Sequence, residues 1–100
     1  MKYRVLYSPR SRRDLEKIRD YIASQSGDPA IGDQFLGKVF DACSTLGALP
    51  FRFAVYPYAR RWRMMPFGNY LVFFKIEERE VRIGHVRHAA QRPFSKPPDR

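Results

Sequence analysis

The stretch Gly68-Asn69-Tyr70-Leu71-Val72-Phe73-Phe74-Lys75-Ile76 decides how this chain is built. Pro66-Phe67-Gly68-Asn69 reads as a turn, because Pro, Gly and Asn each favour turn backbone. In the strand that follows, successive side chains point to opposite faces. Tyr70, Val72, Phe74 and Ile76 share one face; Leu71 and Phe73 share the other. Both faces are apolar. Such a strand is central and covered on both sides, or covered on one side and awaiting a partner.

Its neighbours follow from the same alternation. Arg60–Met65 is expected as a strand before the turn. Downstream, Glu77–Glu80 turns the chain into a last strand, Val81–His88. That strand has a parity fault: Val81 and Ile83 share a face, and Val86 falls on the other. Gly84 lies at the switch, and a β-bulge there is the natural cause. Upstream, residues 51–58 are aromatic and broken by Pro50 and Pro57, which predicts a loop or an irregular edge.

The cover for the sheet comes from the first half. Tyr3, Val5 and Tyr7 alternate as a first strand. Ser8-Pro9 is a helix start, Ser as N-cap and Pro at the first helical position; Ser11-x-x-Asp14 offers a second start as a capping box. Leu15, Ile18 and Ile22 recur at helical spacing until Gly27. Asp28-Pro29 repeats the start, and Ile31, Phe35, Val39, Cys43 and Leu46 mark one stripe of a second helix. Gly47 and Pro50 end it. The short connection predicts an antiparallel helical hairpin. The order is β-α-α-β-β-β. The fold class is α+β, with the hairpin packed on one face of a mainly antiparallel sheet.

Composition sets the limits. One hundred residues, 44% of them apolar, suit one globular domain. That domain is expected over residues 1–93, with a short C-terminal tail over residues 94–100. No apolar run approaches the roughly 20 residues of a bilayer span. Met1–Tyr7 is too short and too charged for a signal peptide, so a cytoplasmic protein is expected. Cys43 is the single cysteine, which excludes an internal disulfide and thiolate clusters. No metal or cofactor is expected, since the chain has no Gly-rich phosphate loop and no G-x-S-x-G elbow.

The formal charge of +9 is unevenly placed. Residues 1–13 carry +5, residues 14–50 carry −3, residues 51–76 carry +5, residues 77–80 carry −2 and residues 81–100 carry +4. Fourteen of the 19 basic residues are arginine, the better side chain for bidentate contact with carboxylate or phosphate. An anionic partner is therefore expected.

The candidate contacts lie in the second half. In Arg60-Arg61-Trp62-Arg63 a strand would place Arg61 and Arg63 on one face, Arg60 and Trp62 on the other. Trp62 is expected to be at least half buried. Its alternative role is stacking on a base. Leu71 and Phe73 are ordinary core, or they line a groove for a partner segment. His88 has a pKa suited to acid–base work; a merely polar strand end is the simpler reading. His85 and His88 should face opposite ways, which argues against a paired metal site.

Taken in order, several segments resemble the ParE/RelE toxin superfamily over about residues 3–93. They are Tyr3-Arg4-Val5-Leu6-Tyr7-Ser8-Pro9, Asp14–Ile22, Asp28-Pro29, Leu46-x-x-Leu49-Pro50, Gly68–Ile76 and Val81–His88. The resemblance implies the toxin of a type II toxin–antitoxin pair, a role in plasmid stabilisation, and a ParD-like antitoxin wrapped around the sheet and helices. It leaves two activities. RelE-like members cut messenger RNA on the ribosome, and here that reading would use Arg61, Arg63, Arg87 and His88. ParE-like members inhibit DNA gyrase without a catalytic set. In RelE an arginine directly follows the Gly-Tyr of the central strand; here Leu71 follows Tyr70, and the tail has Phe94 and no Tyr. His88, followed by small residues and Arg92, looks more like ParE. The resemblance therefore favours a ParE-like inhibitor of gyrase. Arg60, Arg61, Trp62, Arg63, Leu71, Phe73, Arg87, His88 and Arg92 are its candidate antitoxin- or target-binding residues.

Overall fold

A computed structural model describes residues 2–90. Arg92 and the expected 94–100 tail lie outside the described residues. Strand β1 (Arg4–Tyr7) leads into helices α1 (Pro9–Ser26) and α2 (Pro29–Ser44); then come β2 (Arg63–Phe67), β3 (Tyr70–Glu77) and β4 (Glu80–His88). The sheet runs β1-β4-β3-β2. β1 is parallel to β4, and the other pairs are antiparallel. Two helices on a four-stranded mixed sheet match the α+β expectation.

The helix starts are those of local chemistry. Ser8 is the N-cap of α1, and its Oγ accepts the Ser11 N–H at 3.0 Å. Of the two possible starts, the Ser-Pro one is used, and Ser11 is buried inside the helix. Gly27 ends α1 at φ 75°, a left-handed conformation that costs glycine little. Asp28 then caps α2, its Oδ1 accepting the Ala30 N–H at 3.0 Å. The second helix stops at Ser44, short of the expected Leu46, and a 3₁₀ turn carries Thr45–Gly47. Tighter winding there still buries Leu46 completely.

The helices cover one face of the sheet, here called the first face. Leu15, Val39, Cys43 and Leu46 meet Val72, Phe74, Val81, Ile83 and Val86 in one apolar cluster. Full burial of each such side chain contributes roughly 1.5–3 kcal/mol. Tyr7 meets Phe40 edge to face, and Phe35 meets both Phe67 and Tyr70. Burial pushes the Tyr7 hydroxyl well above its ordinary pKa and raises that of the neighbouring Cys43 thiol.

The second face is covered as well, so β3 is sealed on both sides. The cover is the loop between Phe53 and Trp62. Tyr56, Ala59, Trp62 and Phe73 form a separate buried cluster, with Met64 and Leu71 against it. The loop bonds to itself: Tyr56 N–H donates to the Trp62 carbonyl at 2.8 Å, and Trp62 N–H to the Ala59 carbonyl at 3.0 Å.

Two boundaries differ from expectation. The strand expected at Arg60–Met65 begins at Arg63 and runs through Pro66 to Phe67. Pro66 is tolerated because β2 is an edge strand. Arg60, Arg61 and Trp62 belong to the loop, and only Gly68 and Asn69 turn the hairpin. The parity fault is a bulge. Phe73 pairs with His85 and Phe74 with Ile83, which leaves Gly84 as the extra residue. Val81, Ile83 and Val86 thereby reach one face. No helix among the described residues is long and apolar enough to cross a membrane.

Candidate functional site

The candidate residues do not gather in one place. Arg63 pairs with Phe74 across β2 and β3, which puts it on the first face. Its Nη1 donates to the Phe53 carbonyl at 2.7 Å, and its guanidinium lies 5.1 Å from the Phe51 ring centre. Arg63 therefore fastens the loop to the sheet edge. Arg61, expected to share its face, is exposed in the loop beside exposed Arg60. The shared face required a strand that starts three residues earlier than it does. His88 pairs with Tyr70 on the first face, their rings 5.2 Å apart. Arg87 pairs with Leu71 on the second face. The RelE-like set Arg61, Arg63, Arg87 and His88 is thus divided between two faces and a loop.

Trp62 is 3% exposed, which agrees with the expected burial and leaves no ring face open for a base. Phe73 is 1% exposed. It touches Tyr56 edge to face and stacks on His85 at 4.8 Å. Phe73 is therefore core, and no open groove runs over it. Leu71 remains half-buried at the margin of the same cluster. His85 is buried on the second face, opposite in direction to His88, as expected. No group of three or more His, Cys, Asp or Glu among the described residues could hold a metal ion.

Sequence reading missed the residues that service the bulge. An extra residue leaves ladder groups unpaired, and α1 supplies partners for them. Ser8 Oγ donates to the Gly84 carbonyl at 2.7 Å, and Ser8 N–H donates to the Ile83 carbonyl at 2.9 Å. Asp14 Oδ2 accepts the Val86 N–H at 3.0 Å, while Oδ1 accepts from Arg10 Nε at 3.2 Å. The capping-box Asp is thus a clamp between helix and sheet. Its target is 72 residues away, so nothing local could have signalled it. On the other side of the bulge lies Trp62. A Cβ on Gly84 would stand 2.1 Å from Trp62 Cη2.

Two concave regions flank this arrangement. One, of about 290 Å³, lies between α1 and the end of β3, where Lys17, Tyr21, Tyr70 and His88 meet. Burial, and then Tyr21, push the Tyr70 hydroxyl above its ordinary pKa. The other, of about 420 Å³, opens on the second face near β1.

The family model described as "ParE toxin of type II toxin-antitoxin system, parDE" matches residues 5–93. The chain belongs to the ParE toxin family. It is therefore a type II toxin–antitoxin toxin of the ParE/RelE superfamily. Solved structures share the fold of this ParE-family chain. The chromosomal ParDE system from P. aeruginosa superposes with a TM-score of 0.77 at 14% identity, covering 87% of this chain and 96% of that one. The RelBE2 toxin–antitoxin complex from Mycobacterium tuberculosis gives 0.65 at 22% identity, covering 88% and 99%. No curated protein sequence matches the chain significantly.

Proposed function

We propose that this ParE-family chain acts by binding rather than by cutting RNA. It would inhibit DNA gyrase, be neutralised by a cognate ParD-like antitoxin, and so serve plasmid stabilisation from the cytoplasm. One observation carries the reading: Arg61, Arg63, Arg87 and His88 do not converge on a point. Backbone cleavage of RNA needs charge neutralisation and proton transfer at one phosphate. Here Arg63 is committed to the Phe53 carbonyl and the Phe51 ring. Leu71, where RelE carries arginine, packs on the second core. The antitoxin half of the proposal rests on surface chemistry. Tyr21, Ile31, Phe40, Leu49, Phe51 and Tyr58 are large apolar side chains left exposed. With the basic excess, they suit an acidic segment studded with apolar residues.

The test is induction of the chain without an antitoxin, with DNA supercoiling, DNA breaks and transcript integrity followed together. Trapped DNA breaks with intact messages are expected. Messages cut within codons while DNA stays intact would establish the RelE-like alternative, ribosome-dependent endonuclease activity. Unimpaired growth would mean that toxicity has been lost.

A further inference from the structure

The second cleft holds a cation cluster outside the candidate residues considered above. It lies on the second face, at the end remote from Leu71 and Arg87. Leu6 and Arg82 are paired across β1 and β4, and Lys75 is paired with Arg82 across β3 and β4, so all three share that face. Arg12 enters from α1, and Trp62 with Gly84 closes the floor.

Lys75 is the unusual member. It is 8% exposed, and long cationic side chains are seldom buried so far. Its ammonium lies 5.4 Å from the Trp62 ring centre and 3.4 Å from Glu77 Oε2. That separation is long for a charge-assisted contact, which ordinarily spans about 2.7–2.9 Å. Glu77 is itself 46% exposed, so water screens its charge. Arg82 is held toward the rim by Glu80 at 2.6 Å and Glu77 at 3.2 Å. Arg12 is exposed, and no carboxylate among the described residues pairs with it.

We propose that this cleft binds a nucleoside phosphate, free or as part of a nucleic-acid strand. Lys75 and Arg82 stand side by side on β3 and β4, and Arg12 joins them from α1. That arrangement suits the three outward oxygens of a phosphate better than the two coplanar oxygens of a carboxylate. Leu6 and Pro9 give the cleft accessible apolar surface above the buried Trp62, and a volume of about 420 Å³ is large enough for one nucleotide. The bulge is part of the site: without a side chain on Gly84, the indole can lie beneath the cleft.

Trp62 is the single tryptophan of the chain, and it reports from the site itself. The full chain is titrated with AMP, inorganic phosphate, a 5′-phosphorylated DNA tetranucleotide and an octaglutamate peptide, while Trp62 emission is recorded. A saturable change with AMP is expected. Arg12→Gln and Lys75→Gln should each weaken it at least tenfold, and Lys38→Gln on the distant helix should leave it unchanged. Arg12 is exposed, so its variant folds normally even if the Lys75 variant does not. Tighter binding of the tetranucleotide than of AMP would support a strand as the source; the reverse would support a free nucleotide. Inorganic phosphate binding as tightly as AMP would overturn the nucleoside assignment. Octaglutamate competing as well as AMP would overturn the phosphate assignment in favour of an acidic peptide. The absence of any emission change, or equal binding by all three variants, would overturn the site.

Discussion

The two faces of the sheet are both covered over β3, by different means. On the first face the cover is a helical hairpin with an apolar stripe at regular spacing. On the second it is the loop ending at Trp62, with no periodicity at all. The first face is built chiefly of aliphatic side chains around Phe74; the second is an aromatic stack of Tyr56, Trp62, Phe73 and His85. A loop can act as a core layer when it satisfies its own backbone and contributes large flat rings. Few residues then cover much area, and the loop's carbonyls that it does not pair within itself are met by β2, as Ala54 is by the Met64 N–H at 3.1 Å.

The largest expected effect tests whether the loop is core or merely a lid. Trp62→Ala and Phe74→Ala should each cost about 3–5 kcal/mol in urea denaturation, because both remove a buried ring. A loss below about 1 kcal/mol for Trp62→Ala, with Phe74→Ala at full cost, would show that the second layer is loose. Gly84→Ala probes the junction of the two faces. Its Cβ cannot coexist with the indole at 2.1 Å, so about 2–3 kcal/mol should be lost by overpacking. Trp62 emission should shift to longer wavelength as the ring is displaced. An unshifted spectrum at unchanged stability would place the indole elsewhere.

Asp14→Ala removes the clamp between the helical layer and the bulge. About 2 kcal/mol is expected, since the buried Val86 N–H loses a charged acceptor. Amide exchange should accelerate at Val86 and not in the Phe53–Trp62 loop; faster exchange throughout the loop would mean that the faces are coupled. The smallest effect concerns the exposed clip of Arg4, Glu80 and Arg82. Hydrogen bonds from Arg4 and Arg82 hold the Glu80 carboxyl below its ordinary 4.5. A lowered folded-state pKa means that the stabilisation is present above pH 4.5 and fades as pH falls through the lower folded value. Glu80→Gln should flatten the acid limb of stability slightly, and an unchanged limb would show that the clip contributes nothing.

Regular structure was legible because it is written locally. Ser8-Pro9 and Asp28-Pro29 mark both helix starts, and the alternation in Tyr70–Ile76 marks the central strand. Even the bulge could be read, since Val81, Ile83 and Val86 cannot share a face without one. The site was less legible. Arg61 and Arg63 were paired by a strand periodicity that stops at Arg63, where the loop begins. Loop backbone follows no period, so neither the separate courses of those arginines nor the folding of Tyr56 over Phe73 had a local signal.

The sequence by itself determined the α+β order, the extra residue at Gly84 and the basic excess, because each depends on spacing or composition within a few residues. Tertiary structure alone decided what covers the second face, which arginines are fasteners and which are available, and that Asp14 serves the sheet and not its own helix cap. Those outcomes depend on groups up to 76 residues apart in the chain, such as Ser8 and the Gly84 carbonyl. Such pairings arise only when packing brings buried donors and acceptors together and the cost of leaving them unpaired selects the arrangement.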